Sequence, residues 1–215
     1  MKPLVIAVDG PAGSGKGTLA RRIADHFSLD YLDSGSLYRA VASAVLMQGG
    51  DPADRNAALA AARALDPAAV DAAELRSRRV GSAASVVAEF GEVRDALIEF
   101  QRGFARRGAV IDGRDIGTVV APDADVKLFI TASLEERARR RAAELAAAGS
   151  WHSAAAIRAD LAERDRRDTE RTASPMRPAP DALLLDTTDL DIEAAFRAAL
   201  SLIESRLDKT VRGSP

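Results

Sequence analysis

Lys16 stands in the run Gly10-Pro11-Ala12-Gly13-Ser14-Gly15-Lys16-Gly17-Thr18, which follows the apolar stretch Leu4-Val5-Ile6-Ala7-Val8 after the single carboxylate of Asp9. Glycines admit backbone conformations that a Cβ forbids, so consecutive N–H groups can turn toward one anion, and Lys16 adds a formal positive charge. Leu19, Ile23 and Phe27 follow at helical spacing. The first turn of such a helix carries unsatisfied N–H groups and the positive end of the dipole. Strand, G-x-x-x-x-G-K and helix in that order predict a seat for the phosphate tail of a nucleoside triphosphate, with Gly10, Ala12, Gly13, Ser14, Gly15, Lys16, Gly17 and Thr18 as its contacts. The general motif has Ser or Thr directly after the lysine as a magnesium ligand. Here Gly17 stands there and Thr18 follows, so direct ligation by that hydroxyl is not expected.

A second concentration of chemistry lies between Arg137 and Arg177. Ten arginines (Arg137, Arg139, Arg140, Arg141, Arg158, Arg164, Arg166, Arg167, Arg171 and Arg177) share that window with only six acidic residues. Glu135, Glu136, Glu144, Glu163 and Asp165 are spaced to pair with several of them on solvated helix faces. Arg164, Asp168 and Arg171 recur at i, i+4 and i+7, which sets two guanidinium forks beside a carboxylate on one helix face, and phosphate binding is the expected role. Arg137 and Arg141 share another face and are expected to reach the nucleotide from above. Trp151 and His152 have no ligand spacing and read as lid contacts or core fillers.

These residues need a scaffold. Apolar runs at Leu4–Val8, Tyr31-Leu32, Ala109–Ile111, Val126–Ile130 and Ala182–Leu185 alternate with long helical patterns, which predicts a parallel sheet covered on both faces. Three runs end in aspartate, at Asp9, Asp33 and Asp112, on the carboxyl edge where ligands gather in such sheets. Asp33 and Asp112 are candidates to hold magnesium through its waters. Ile192, Phe196, Ala199, Leu200 and Ile203 mark a final helix closing the core. The Ala-rich stretches Ala57 to Ala62 and Ala142 to Ala148 favour helix. The intervals of about 70 residues from Ser34 to Ala109 and about 50 from Thr131 to Ala182 exceed simple crossovers and read as mobile insertions.

With 215 residues, 47% hydrophobic, the chain can bury one full core, and a single domain is expected. A net charge of -2 without long single-sign runs gives no general attraction to nucleic acid or anionic lipid. Absence of cysteine excludes disulfide scaffolds and thiolate-bound metals, and no apolar stretch approaches a membrane span. A soluble cytoplasmic protein, monomeric by default, is the expectation.

Taken together, Gly10-Pro-Ala-Gly-Ser-Gly-Lys-Gly-Thr18, Asp33-Ser-Gly-Ser-Leu-Tyr-Arg39, Ala83-Ala-Ser85 with Val93-Arg94, Asp112-Gly-Arg-Asp-Ile-Gly-Thr-Val-Val120, and Glu163-Arg-Asp-Arg-Arg-Asp168 with Arg171 resemble the bacterial cytidylate kinases, a branch of the nucleoside monophosphate kinases. The resemblance covers nearly the whole chain. It implies an α/β P-loop three-layer fold with a central parallel five-stranded sheet, carrying helical insertions at 34–107 (NMP-binding region) and 137–175 (LID region). It further implies ATP over Lys16 and Arg137, with CMP or dCMP beneath the first insertion. Arg39, Arg114 and Arg171, with Ser34 and Tyr38, would hold the acceptor phosphate; Arg164 and Asp168 would reach its ribose; Ser85, Arg94 and Asp115 would read the base. One departure is Asp66–Val80, Ala- and Arg-rich without strand alternation, where related kinases often carry a small antiparallel sheet. This insertion reads as shortened.

Base chemistry agrees with that reading. Cytosine offers an N4 amino donor and acceptors at N3 and O2, suited to a carboxylate and a guanidinium. Uracil presents O4 and an N3–H donor instead, leaving buried groups unpaired, and sites of this kind discriminate by about 10⁴ or more. Ser85 and Arg94, roughly 13 Å apart along one straight helix, cannot both touch one base. A helix break at Phe90-Gly91 is therefore predicted. Phosphoryl transfer to an already ionised phosphate needs no general base, so neither His26 nor His152 is required. Catalysis reduces to positioning and charge compensation by Lys16, Mg2+, Arg114, Arg141 and Arg171. Two other readings keep the cradle: a kinase of another nucleotide or of a small alcohol, for which Asp33 is the base, and a nucleotide-dependent switch. A guanine switch lacks its Asn-Lys-x-Asp motif here, the only asparagine being Asn56 before Ala57.

Overall fold

A computed structural model of the chain describes residues 3–70, 75, 77–147 and 149–212. All five expected strands form, as β1 Val5–Asp9, β2 Asp30–Asp33, β3 Ala109–Gly113, β4 Val126–Thr131 and β5 Leu183–Asp186. They pair in parallel in the order β2-β3-β1-β4-β5. Because the chain leaves β1 for one side and later returns to the other, the carboxyl edge of β1 is where a crevice opens.

The strands read as unbroken apolar runs because both sheet faces are covered. Ile6 and Val8 point into a core closed by helices α1 (Lys16–Phe27) and α8 (Ile192–Arg212), while Val5 and Ala7 point into a second core with Ile111, Ile116 and Val120. Ile6, Val8, Leu128 and Ile130 are at most 1% exposed. Each such side chain contributes roughly 1.5–3 kcal/mol of burial. The inner face of α8 is Ala195, Ala199 and Ile203; Ile192, expected on that face, is the first residue of the helix and is 45% exposed.

Between β2 and β3 lie α2 (Ser34–Met47), α3 (Arg55–Ala64), α4 (Arg78–Val87) and α5 (Gly91–Ala105), packed around Leu37, Val41, Ala58, Val87, Val93 and Leu97. Asp54 and Ser77 cap α3 and α4 with side-chain oxygens. From Asp66 to Val80 the described residues hold a 3-10 turn, Pro67–Ala69, and the start of α4, with no strand among them. Residues 71–74 and 76, part of that expectation, lie outside the described residues, as does Ala148. Between β4 and β5 run α6 (Leu134–Ala147) and α7 (Ala154–Glu170), whose Leu145, Ile157 and Leu161 pack on Ala12 of the glycine loop. Arg167 donates to Ser82 O at 3.3 Å and Arg78 to Ala156 O at 3.4 Å, so the two insertions touch through α4 and α7.

Candidate active site

The glycine loop leaves β1 through a joint that admits no side chain. Gly10 has φ 148°, and a Cβ there would lie 2.0 Å from Ile130 O. Gly15, left-handed at φ 85°, starts α1 with no side-chain cap and no acidic residue in the first turn, which suits the helix start to an external anion. Lys16 folds back with Nζ 3.5 Å from Pro11 O. Burial lowers its pKa to about 8, and the nearby Arg114 charge adds to that.

Helices α6 and α7 fasten to this loop. Arg137 donates to Ala132 O at 2.9 Å and Ala12 O at 3.2 Å and pairs with Asp165 at 2.7 Å, so its guanidinium braces the loop from outside. Arg140 reaches Ser14 O at 3.3 Å and Thr187 O at 2.6 Å, tying α6 to the loop and to the turn after β5. Arg141 pairs with Glu144 at 2.8 Å and lines the space above the loop. The ion pairs expected of the solvated faces form: Glu135 with Arg158, Glu136 with Arg139 and Arg140, Glu163 with Arg166 and Arg167. Trp151 is 81% exposed and His152 is exposed, bonded to Ser150. Neither is a core filler: the segment joining α6 and α7 is polar and lies outside the apolar clusters.

Asp33 and Asp112 face each other in register at the ends of β2 and β3. Asp33 is gripped by Arg39 at 2.7 Å; although burial pushes its pKa up, Arg39 overrides and holds it below the ordinary value. Tyr31 donates to Asp112 Oδ1 at 2.8 Å, while burial, with the Asp33 charge, raises the Asp112 pKa to about 6. A Cβ at Gly17 would lie 3.4 Å from Asp112 Oδ2, so a side chain after Lys16 would crowd this carboxylate. Among the described residues no group of three or more His, Cys, Asp or Glu forms a metal cage. Mg2+ is commonly held by one or two carboxylates plus substrate phosphates, which this pair beside a phosphate cradle fits.

Next to the loop opens a hollow of about 590 Å³ lined by Lys16, Asp33, Ser34, Tyr38, Arg39, Ser85, Arg94, Asp112, Arg114, Asp115, Arg164, Asp168 and Arg171. A second hollow of about 960 Å³ above Gly13, Gly15 and Thr18 shares Lys16, Asp33, Arg39, Asp112, Arg114 and Arg164 with it. Two anion seats thus adjoin. The first hollow carries six cationic side chains and four carboxylates, a surplus of two positive charges, the charge of one phosphate monoester with its sign reversed. Arg114 donates to Asp168 Oδ2 at 2.9 Å, and Arg171 lies 3.5 Å from Asp168 Oδ1. Those two arginines keep Asp168 below its ordinary pKa against the opposing effect of burial. Arg164 is lowered to about 10 by burial and then by Arg114.

At the far end the helix break occurs as predicted: α4 stops at Val87 and α5 starts at Gly91 with Phe90 as N-cap. The turn brings Ser85 and Arg94 to one wall. Arg94 pairs with Asp115, donates to Ala88 O at 3.2 Å and stacks 5.2 Å from the Tyr38 ring. Ser85 Oγ, Arg94 Nε, Arg164 Nε and Arg171 Nη2 are buried without a hydrogen-bond partner. Orphaned polar atoms converging on one hollow are what a polar ligand completes. Arg171, expected within the helix, is instead its C-cap with ψ 142°, because Arg171 Nε binds Ser174 O at 2.8 Å in the turn before Pro175. It still faces the hollow.

Three contacts with structural leverage were not expected from the sequence: Tyr31 on Asp112, Arg140 of α6 on Thr187 O, and Asp9, whose carboxylate accepts from Ile116 N and Gly117 N at 2.8 Å each. Only Asp9 left a signal, as a strand-ending carboxylate beside the loop.

The cytidylate kinase family model matches residues 6–205. A cytidylate kinase of Methylocella silvestris is 56% identical over 99% of this chain and 99% of its own length, and one of Cereibacter sphaeroides is 59% identical over 94% and 95%. An uncharacterized protein from Eubacterium ventriosum superposes with TM-score 0.56 at 13% identity, covering 94% of this chain and 99% of that one, which bears on the fold alone. By its sequence match across nearly its whole length, the chain belongs to the cytidylate kinase family.

Proposed function

We propose that the chain transfers the γ-phosphoryl group of ATP to the phosphate of CMP or dCMP, with the stretch 34–107 as acceptor-binding region and 137–175 as lid. The observation that carries this reading is the convergence of Lys16 with Arg39, Arg114 and Arg171 on one hollow contiguous with the glycine loop. The triphosphate lies on the loop from Gly10 to Thr18, and Arg141 closes over it. Arg137 serves by bracing that loop. The acceptor phosphate lies among Ser34, Tyr38, Arg39, Arg114 and Arg171, its ribose toward Arg164 and Asp168. The orphaned Ser85 Oγ and Arg94 Nε, with Asp115, suit the edge of cytosine.

The acceptor oxygen is ionised at neutral pH and attacks in line without a base. Lys16, Arg114 and Arg171 compensate charge spread over the phosphoryl oxygens, in a site whose burial strengthens each of them. Asp33 and Asp112 would hold Mg2+ through its waters; the ion supplies further charge neutralisation on the phosphates. Contact between the two insertions through α4 and α7 supports closure over both substrates, which keeps water from competing as nucleophile. No described helix is long and apolar enough to cross a membrane, and a cytoplasmic monomer is the matching proposal.

A coupled ATP assay across CMP, dCMP, UMP and AMP tests the reading, with Lys16→Ala and Asp115→Ala beside the native chain. Fast turnover on CMP and dCMP alone is expected. Equal rates on CMP and UMP would overturn the base assignment, and hydrolysis without an accepting nucleotide would overturn the transfer.

A further inference from the structure

Asp9 ends β1 one residue before the glycine loop and is nearly fully buried. Its two oxygens are taken by another segment: Oδ1 accepts from Ile116 N and Oδ2 from Gly117 N, both at 2.8 Å. These donors open the π turn Ile116–Val120, whose own N-cap residue is Asp115. An aspartate at that position ordinarily spends its side chain on such N–H groups. Asp115 makes no such bond; its carboxylate pairs with Arg94 and approaches Arg171 to 3.8 Å. We infer that Asp9 is a positioning residue for acceptor selection: by capping this turn from the neighbouring strand, it releases the Asp115 carboxylate to read the base.

Two further observations fit. The cap lies close against Lys127: a Cβ at Gly117 would be 3.1 Å from Lys127 Cδ and 3.4 Å from Asp9 Oδ2, a tight fit to the lysine stem and an ordinary contact with the carboxylate. Burial pushes the Asp9 carboxyl up to about 7, with the two backbone donors and Arg114 opposing, so the turn's N–H groups are among the few partners that offset its desolvation. Should the cap be lost, the freed N–H groups would be served by the carboxylate of Asp115, the N-cap residue of the same turn, which would then leave Arg94. The expected failure is therefore one of selectivity, beyond any loss of stability.

The inference rests on the reading of Asp115 as a base contact, and the test separates the two. Native chain, Asp9→Asn and Asp115→Asn are compared by kcat/KM for CMP and for UMP, by KM for ATP, and by thermal unfolding. The amide at position 9 keeps the shape but offers one acceptor oxygen, and turns an NH2 toward the second N–H. Asp9→Asn is expected to lower the CMP-over-UMP preference by about tenfold or more, with KM for ATP within about twofold. A native preference in Asp9→Asn together with a collapsed preference in Asp115→Asn overturns the inference and leaves the base reading standing. A native preference in Asp115→Asn overturns both. If Asp9→Asn does not fold, Asp9→Ser shortens the side chain and withdraws both acceptor oxygens without setting an NH2 against an N–H: a reduced preference supports the inference and a native one overturns it.

Discussion

Arg114, directly after β3, donates to Asp168 on α7 at 2.9 Å, across 54 residues of sequence. The bond makes one carboxylate the shared counter-ion of Arg114 and Arg171, and joins the sheet to α7 across the first hollow. Asp168→Asn keeps the shape and removes the charge. Breaking a buried pair from one side costs about 3 kcal/mol. The variant should lose stability on that scale in denaturant titrations and show KM for CMP raised roughly tenfold, with KM for ATP little changed.

Ser85 offers the opposite case. Its hydroxyl is buried without a partner, so removing it relieves the empty protein of an unsatisfied group. Ser85→Ala should unfold at the native temperature or slightly above it without ligand, while KM for CMP rises about tenfold. Thermal melts with and without CMP separate the two effects. Lower stability in the empty variant would show that the hydroxyl already has a protein partner.

Lys16 ionises at about 8 in the empty site, so its charge is present below that pH and lost above it. A measured kcat/KM for ATP should decline as pH rises through about 8, because that ratio reports groups of the free enzyme. The kcat profile should lack this break, since bound phosphates favour the ammonium form. Lys16→Met should lower kcat by roughly 10²–10³ and abolish the break.

Asp9, raised to about 7 from an ordinary 3.8, binds its proton more tightly folded than unfolded. Its contribution to stability is fully present below the unfolded value and is lost as pH rises through the folded one. The stability of Asp9→Asn minus that of the native chain should therefore climb from pH 4 to pH 7 in urea titrations. A flat difference would place the Asp9 proton off from the start.

Much of the fold was legible because its signals are local. Each strand is a short apolar run, the glycine loop sits between one of them and a helical pattern, and Phe90-Gly91 announces the break that turns Arg94 toward Ser85. The clustering of Arg164, Asp168 and Arg171 was legible from helical spacing, although Arg171 sits past the helix end, where the turn before Pro175 decides its course. Illegible were the long-range hydrogen bonds. Tyr31 with Asp112, Arg140 with Thr187, and Asp9 with Gly117 pair residues that only the sheet register and the packing of α6 bring together. Arg137 belongs with them, since spacing gives its helix face but says nothing of the Ala12 carbonyl and Asp165 carboxylate that take up its donors.

Carboxylates interleaved among the arginines of the first hollow leave it a surplus of only two positive charges. Bare guanidinium groups at such density would collect whatever small anion the surroundings supply, and orthophosphate or sulfate would then act as a standing inhibitor. With Asp33, Asp115 and Asp168 already holding Arg39, Arg94 and Arg114, a lone tetrahedral ion must displace an internal partner for each contact it gains with those three forks. A monoester that also brings a sugar and a ring to the orphaned atoms has more to offer in exchange, which lets the pocket stay ready amid abundant inorganic salts.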